Sequence, residues 1–249
     1  PQSHGEYRHG LFFIVPPGQQ ILLACRLDRT EAARLAREMA GFVLFGTPGW
    51  GSALAEAQLD YHGLDYRFET VGDLFRQPDA RTKLENVNPL KQIPTLILPD
   101  GQVMTESAAI TLWLAQHTGR DDLVPGNGAP EQAAFLRWLV YLVANIYPTF
   151  TYADDPSRFV SLEAAQAPFR DAVNAYRERL WHIVEEVAGA PWFLGTRFSA
   201  LDLFVGVMAH WTPGQSWFTD NAPALDAIAR RTIAIKSLQP FWARNFPDT

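Results

Sequence analysis

Apolar positions after residue 41 fall in short runs that are separated by turn-forming residues. The run Phe42-Val-Leu-Phe45 predicts a buried strand, residues 53–62 predict a helix, and residues 66–71 predict a second strand. A strand over residues 95–98, a tight turn, a further strand and a helix over residues 106–117 follow. The order predicts a β-α-β unit that is followed by a hairpin and another helix.

The second half of the chain has a helical pattern throughout. Residues 119–130 are rich in glycine, proline and aspartate, and this composition predicts a linker. Beyond it, apolar residues recur at helical spacing over residues 131–150, 161–188, 199–211 and 223–235. The chain is therefore predicted to join an α/β domain to an all-α domain. Residues 1–41 belong to neither pattern and form an N-terminal extension of unknown role.

Ser199 and Asp202 have the spacing of a capping box at the head of a helix. In such a box, the side chain of each residue accepts a hydrogen bond from a backbone N–H at or near the other residue. We assign this pair to folding, with no catalytic role.

A candidate ligand site lies at the hairpin and the helix after it. Pro94 cannot donate to a β-ladder, so it stands at a strand entrance and leaves the backbone of Ile93 free to pair outside the sheet. Ser107 stands where the next helix begins, and the first turn of a helix has N–H groups without intrahelical partners. The helix start is therefore a ready site for a carboxylate. The pattern alone is equally compatible with a hairpin and a capped helix that serve packing only.

The segment Asn88-Pro-Leu-Lys-Gln-Ile-Pro94, with Glu106-Ser107 at the next helix, resembles the thioredoxin-like domain of the cytosolic glutathione transferase superfamily, bacterial type. The resemblance extends over residues 42–246. It implies a thioredoxin-like, glutathione-binding domain over residues 42–118, and a helical bundle domain over residues 131–249 that lines the electrophile site.

The same resemblance implies how glutathione is held. The backbone of Ile93, ahead of a cis Pro94, pairs with the cysteinyl part, because only an X-Pro bond makes the cis form accessible at low cost. Glu106-Ser107 hold the γ-glutamyl end, and Lys91 or Gln92 lies near the glycyl carboxylate.

In the family, the turn after the first strand carries a donor to the glutathione sulfur. Lowering a thiol pKa by about 2 units corresponds to about 2.7 kcal/mol in favour of the thiolate. Here the family's serine position falls on or near Gly49 and its beta-class cysteine position falls on Gly51, and neither has a side-chain donor. The remaining candidates are Ser52 and, second, Thr47, with a backbone N–H as the alternative. Trp50 is assigned to the electrophile pocket.

The helix after the linker is expected to complete the pocket with Tyr147 and Tyr152, by resemblance to the family. The implied reaction is conjugation of glutathione to a small hydrophobic electrophile. Two alternatives stay open: a glutathione-dependent reductase, lyase or isomerase on the same fold, and a non-catalytic glutathione-binding or scaffold protein.

Composition and charge narrow the range of expected binding partners further. With 249 residues, a formal net charge of −6 and no basic run, the chain is not expected to bind nucleic acid. No apolar stretch is long enough to span a membrane. The single cysteine, Cys25, favours a cytoplasmic location without disulfides. The scattered histidines predict no metal site, and a homodimer is expected by resemblance.

Overall fold

One mixed four-stranded sheet forms the first part of the structure. We analysed a computed structural model in which residues 41–85 and 87–247 are described, except for the side chain of Pro78. The predicted extension therefore lies outside the described residues, apart from Gly41. The strands are β1 (Phe42–Gly46), β2 (Tyr66–Thr70), β3 (Thr95–Ile97) and β4 (Val103–Thr105). Their spatial order is β2-β1-β3-β4, with β1 and β2 parallel and the other two pairs antiparallel.

Helices of two groups accompany and follow this sheet. The first group is α1 (Ala53–His62), α2 (Pro78–Thr82) and α3 (Ser107–Thr118). The second group is α4 (Gln132–Tyr141), α5 (Tyr147–Asp154), α6 (Glu163–Glu185), α7 (Ala200–Met208), α8 (Gln215–Asn221), α9 (Pro223–Ile233) and α10 (Gln239–Asn245). A π-helical turn (Leu142–Ile146) joins α4 to α5, and two short 3₁₀ turns lie at Pro156–Arg158 and Lys236–Leu238. The predicted fold class, a thioredoxin-like region followed by a helical region, is confirmed.

The helix predicted over residues 131–150 is interrupted in the structure. It ends as α4 at Tyr141, passes through the π-helical turn, and resumes as α5 at Tyr147. Pro148 lies in the first turn of α5, directly after the π-helical turn. The π-helical turn changes which side chains of α5 face the sheet region.

The central helix α7 is buried along its whole length, and its sequence is almost entirely apolar. The predicted capping box at its start is confirmed. The carboxylate Oδ2 of Asp202 accepts from the backbone N–H of Ser199 at 2.8 Å, and Ser199 Oγ accepts from the N–H of Leu201 at 3.3 Å. Asp202 Oδ1 also accepts from the N–H of Phe193 at 2.7 Å.

Neither a membrane span nor a metal cluster is found in the described part of the chain. None of the helices between residues 41 and 247 combines the length and the apolar character that crossing a bilayer requires. Within the same residues, no three His, Cys, Asp or Glu side chains are grouped so that they could hold a metal ion.

Candidate functional site

The hairpin places Ile93 and Glu106 at one end of the sheet. The Ile93-Pro94 peptide bond is cis, as the family resemblance implies. Thr95 pairs with Thr105 in the antiparallel ladder of β3 and β4. Residues 94 and 106 are therefore the next opposing positions, and the strand entrance and the head of α3 lie side by side.

Glu106 and Ser107 present side chains that no other described residue binds. Glu106 has a φ of 67°, an unusual value for a residue with a side chain, and directly precedes α3. Ser107 is the first residue of this 12-residue helix, and its side chain accepts or donates no hydrogen bond within the described structure. Both side chains are thus available to a ligand at the positive end of the α3 dipole.

The hydroxyl groups of Ser52 and Thr47 are used inside the turn that follows β1. Ser52 is fully buried, and its Oγ donates to the carbonyl of Thr47 and accepts from the N–H of Thr47, both at 3.1 Å. Thr47 Oγ1 donates to the carbonyl of Gly72 at 2.7 Å. Both hydroxyls are therefore used within the turn region, and neither residue lines the cavity described below.

Tyr147, at the start of α5, brings a hydroxyl group to this turn from the helical region. The hydroxyl donates to the carbonyl of Ile93 at 3.3 Å. It also packs on Gly51 so closely that a Cβ at residue 51 would lie 1.8 Å from the phenolic oxygen. Burial raises the pKa of Tyr147, and the charges of Glu106 and Asp154 raise it further, so the phenol is a neutral hydrogen-bond donor at pH 7.

The head of α1 supplies backbone donors at the same point. The N–H groups of Gly51 and Ser52 make no hydrogen bond to any residue that the structure describes. Such orphan donors carry the partial positive charge of a helix N-terminus. Gly51 also lines the cavity described below.

One cavity of about 680 Å³ lies where Gly51, Ile93 and Tyr147 meet. Of the predicted site residues, it is lined by Trp50, Lys91, Gln92, Ile93 and Tyr147. Residues that sequence reasoning did not assign also line it: Asp73, Leu74, Phe75, Arg76, Arg81, Phe150, Thr151, Asp154, Arg158, His210, Trp211 and Thr212.

Some predicted residues do not line this cavity. Pro94, Glu106 and Ser107 border the adjacent hairpin end. Tyr152, which is predicted to face the pocket, is instead 40% exposed and packs edge-on against Phe159 with ring centroids 5.0 Å apart. The reason is the spacing of the two residues: Tyr147 faces the turn, and a residue five positions later in the same α-helix lies about 140° around the helix axis.

Aromatic side chains from distant parts of the chain form the cavity walls. On one side, Trp50 stacks on Phe75 with ring centroids 5.3 Å apart. On the other, Trp211 packs edge-on against Phe150 at 5.0 Å and against Tyr147 at 5.9 Å. The space between the two walls suits a flat apolar molecule.

His210 lies in the cavity wall but is already committed to neighbouring groups. Its Nδ1 is 2.8 Å from the carbonyl of Gly206, which can only accept, so Nδ1 carries the proton. Its Nε2 is 2.9 Å from the side-chain amide nitrogen of Gln215 and accepts from it. Burial lowers the pKa of His210 and favours this neutral form. His210 is therefore not free to act as a general base.

The cis-proline hairpin, the open head of α3 and the cavity against the helical region define a thioredoxin-like protein of the glutathione transferase type. Comparison with known proteins agrees. The family model described as "Glutathione S-transferase, N-terminal domain" matches residues 55–117. The Escherichia coli K12 protein named "Uncharacterized GST-like protein YncG" is 38% identical over 205 residues, which are 81% of this chain and 97% of that protein. The chain belongs to the glutathione S-transferase family.

Other relatives support the same assignment. Glutathione S-transferase GstA of Escherichia coli O157:H7 is 27% identical over 175 residues, which are 68% of this chain and 81% of that protein. A glutathione transferase structure from Methylococcus capsulatus is 28% identical with a TM-score of 0.64, and covers 80% of this chain and 96% of its own. A Sulfitobacter homologue with bound glutathione shares the fold at a TM-score of 0.71 and 23% identity, over 81% of this chain and 96% of its own.

Proposed function

We propose that this chain is a glutathione S-transferase that activates the thiol of glutathione and conjugates it to a hydrophobic electrophile. The observation that carries the proposal is the meeting of Ile93, Gly51 and the Tyr147 hydroxyl at one end of the aromatic cavity. In this proposal, residues 42–118 form the glutathione-binding domain, residues 119–130 the linker, and residues 131–249 the wall of the electrophile site.

Glutathione would lie in extended form across the hairpin end. The backbone of Ile93 pairs with the cysteinyl residue, Ser107 binds the γ-glutamyl carboxylate at the head of α3, and Glu106 faces the ammonium group. One residue of an extended peptide spans about 3.5 Å. The glycyl carboxylate therefore reaches Gln92 and Lys91, which directly precede Ile93 and line the cavity.

The thiolate would be stabilised where Tyr147 meets the head of α1. When the cysteinyl N–H takes the carbonyl of Ile93, it displaces the phenol from a hydrogen bond that is already long. The freed hydroxyl can then donate to the sulfur, together with the unpaired N–H of Gly51. This arrangement replaces the side-chain donor that is missing from residues 49 and 51. Ser52 and Thr47 remain the candidates from sequence, but their hydroxyls hold the turn.

The transfer step then needs only the thiolate and a bound electrophile. The sulfur lone pair forms a carbon–sulfur bond as the leaving group departs with its electron pair, and the thiol proton goes to solvent beforehand. Trp50 and Phe75 on one side and Phe150 and Trp211 on the other would hold the electrophile close to the sulfur.

The test is a titration of the protein with glutathione across pH, with thiolate absorbance followed at about 240 nm. We expect saturable binding and a bound thiolate well below pH 8. Saturable binding without a thiolate would replace this proposal by a non-catalytic glutathione-binding or scaffold protein, or by another glutathione-dependent chemistry. Absence of binding would reject the proposal.

Three variants identify the donor. Tyr147→Phe should raise the pKa of bound glutathione by about 1 unit, because one charge-assisted hydrogen bond contributes about 1.5 kcal/mol or more. Tyr152→Phe is the matched control and should leave that pKa unchanged, since this ring lies outside the cavity. If Ser52→Ala raises the pKa while Tyr147→Phe does not, the serine is the donor.

We also propose a cytoplasmic homodimer with a role in detoxification, supported by membership of the family. Sedimentation equilibrium of the purified chain tests the quaternary state. A monomer at micromolar concentration would overturn that part of the proposal.

A further inference from the structure

We infer that the electrophile carries a carboxylate on an aromatic body, and that Arg76, Arg81 and Arg158 bind this anion. The inference rests on the proposed function, because it names the substrate class of the same cavity. It comes from the distribution of charge around the cavity, which differs from that of the whole chain.

The cavity is basic although the protein is acidic. Its lining residues include four cationic side chains, Arg76, Arg81, Lys91 and Arg158, and two carboxylates, Asp73 and Asp154, which gives a formal charge of +2 for the lining. Lys91 is paired outside the lining, with Glu85 at 2.8 Å, so the arginines supply the positive charge that remains available. The chain as a whole has a formal net charge of −6. Such a local reversal of sign attracts anions and concentrates them at the site.

The three arginines lie together at one end of the cavity. A second cavity of about 250 Å³ adjoins the first, and the two share Leu74, Phe75, Arg76, Arg81 and Arg158 as lining residues. This second cavity contains one carboxylate, Asp155, against the three guanidinium groups. The basic end is thus built jointly by the segment after β2 and by the 3₁₀ turn after α5.

The guanidinium groups of this end are poorly neutralised by the protein. Arg81 donates from Nε to the carbonyl of Leu74 at 2.8 Å and forms no ion pair with another described residue. Arg158 likewise forms none, and its guanidinium lies 5.5 Å from the ring centre of Phe159. Arg76 approaches Asp73 only at 3.9 Å. The terminal nitrogens can therefore bind a planar carboxylate.

The charges of glutathione do not account for these arginines. Its γ-glutamyl end is assigned to Glu106 and Ser107, and its glycyl carboxylate to Gln92 and Lys91. Phe75 lines both cavities and stacks on Trp50, so an aromatic surface runs from the sulfur position to the arginines. A ligand with an aromatic body and one carboxylate would fit an aromatic surface that ends at a group of arginines.

The experiment compares two unreactive probes, p-nitrobenzoate and nitrobenzene, which differ by one carboxylate. Their binding is followed by quenching of tryptophan fluorescence, without and with saturating S-methylglutathione. We expect p-nitrobenzoate to bind about tenfold more tightly than nitrobenzene in both conditions, and added salt to reduce this preference.

The variant Arg158→Gln should remove most of the preference and leave the affinity for nitrobenzene unchanged. Arg179→Gln is the matched control, because Arg179 is exposed and lines neither cavity. With reactive substrates, Arg158→Gln should raise the KM of a chlorodinitrobenzoate about tenfold, but not that of chlorodinitrobenzene.

Other outcomes would overturn the inference. Equal affinity for the two probes, or no binding of either, would show that the basic end does not select a carboxylate. Loss of p-nitrobenzoate binding when S-methylglutathione is present would assign the arginines to a carboxylate of glutathione itself. A retained preference in a protein that binds no glutathione would instead reject the proposed function and leave the anion site in place.

Discussion

The side-chain amide of Asn245 ties the last helix of the chain to the turn at Gly49. Its Oδ1 accepts from the N–H of Gly49 at 2.8 Å, and its Nδ2 donates to the buried carboxylate of Glu56 at 3.0 Å. Gly49 has a φ of +76°, and a Cβ there would lie 2.9 Å from the carbonyl oxygen of Asn245. Since the same turn presents Trp50 and Gly51, α10 fixes one wall of the cavity.

Replacing Asn245 by leucine should weaken both the fold and the site. Asn245→Leu leaves the N–H of Gly49 and an oxygen of Glu56 without their partner, which costs about 1–3 kcal/mol. Because the turn that carries Gly51 loses its restraint, the Kd for glutathione should rise as well. Urea unfolding measures the first effect, and calorimetric titration with glutathione measures the second.

Asn221→Leu is the control for this substitution. Asn221 is exposed, and its side chain donates only to the carbonyl of Trp217 one turn earlier in α8. A change within about 0.5 kcal/mol is expected there. An Asn245→Leu protein that is destabilised but keeps its glutathione affinity would contradict the role of Asn245 in positioning the turn.

A second prediction concerns the contact between Gly51 and Tyr147. Gly51→Ala places a methyl group 1.8 Å from the phenolic oxygen, so either the turn or α5 must move. The substitution should therefore reduce stability and glutathione affinity. In a Tyr147→Phe background the same methyl group meets no hydroxyl, and its cost should be smaller by about 1 kcal/mol or more.

The double-mutant cycle is measured by urea unfolding of the four proteins. Gly126→Ala serves as a control, because a Cβ at Gly126 meets only ordinary contacts with Asp121, the nearest atom being 3.6 Å away. Strictly additive costs of Gly51→Ala and Tyr147→Phe would show that the two residues do not restrict each other.

The parts of the site that lie close together in sequence are the parts that the sequence predicts. Ile93-Pro94 and Glu106-Ser107 are joined by one hairpin, so strand pairing alone brings them to the same edge. The helix Ala53–His62 was likewise predictable, because a strand and a turn frame its apolar pattern. Proline and glycine mark the ends of these strands and helices in the sequence, and this makes the elements predictable.

The remaining contacts depend on packing between distant segments. Tyr147 reaches Ile93 across 54 positions, and Asn245 reaches Gly49 across 196. Hydrophobic periodicity reports which face of a helix is buried, but not which residue it meets. For the same reason, the arginine at position 158 gave no signal in the sequence, since only the folded chain places it beside residues 76 and 81.

A third prediction concerns the ion pair that anchors α10 to α1. Arg244 Nη2 lies 2.9 Å from Oε1 of Glu56, whose side chain is 4% exposed. The hydroxyl of Tyr66 donates to the same oxygen at 3.1 Å. Arg244→Met keeps the packing of the stem but leaves the buried carboxylate without its counter-charge. Because Arg244 itself is 47% exposed, we expect a loss of about 2 kcal/mol in the free energy of unfolding.

Arg67→Met is the matched control on the surface. Arg67 pairs with Glu69 at 2.9 Å, and both side chains are largely exposed, so the pair should contribute less than about 1 kcal/mol. Urea unfolding measures the loss in the free energy of unfolding for both variants. Equal losses would mean that the partly buried pair of Glu56 and Arg244 stabilises the protein no more than the exposed pair does.

The last prediction concerns the pH dependence of the capping box. Burial raises the pKa of Asp202 to about 6, although the N–H groups of Phe193 and Ser199 and the Ser199 hydroxyl act to lower it. The folded protein therefore binds a proton at Asp202 more tightly than the unfolded chain, whose aspartates have a pKa of about 3.9. This contribution to stability is fully present below about pH 4 and is lost as the pH rises through 6.

Comparison with Asp202→Asn isolates this group, because the variant has no titratable group at the position and every other group is shared. The free energy of unfolding of the wild type minus that of Asp202→Asn should fall by about 1–2 kcal/mol between pH 5 and pH 7.5. Urea unfolding at the two pH values measures it. If the difference instead grows with pH, the two backbone N–H donors outweigh burial, and the carboxylate of Asp202 is ionised in the folded protein throughout this range.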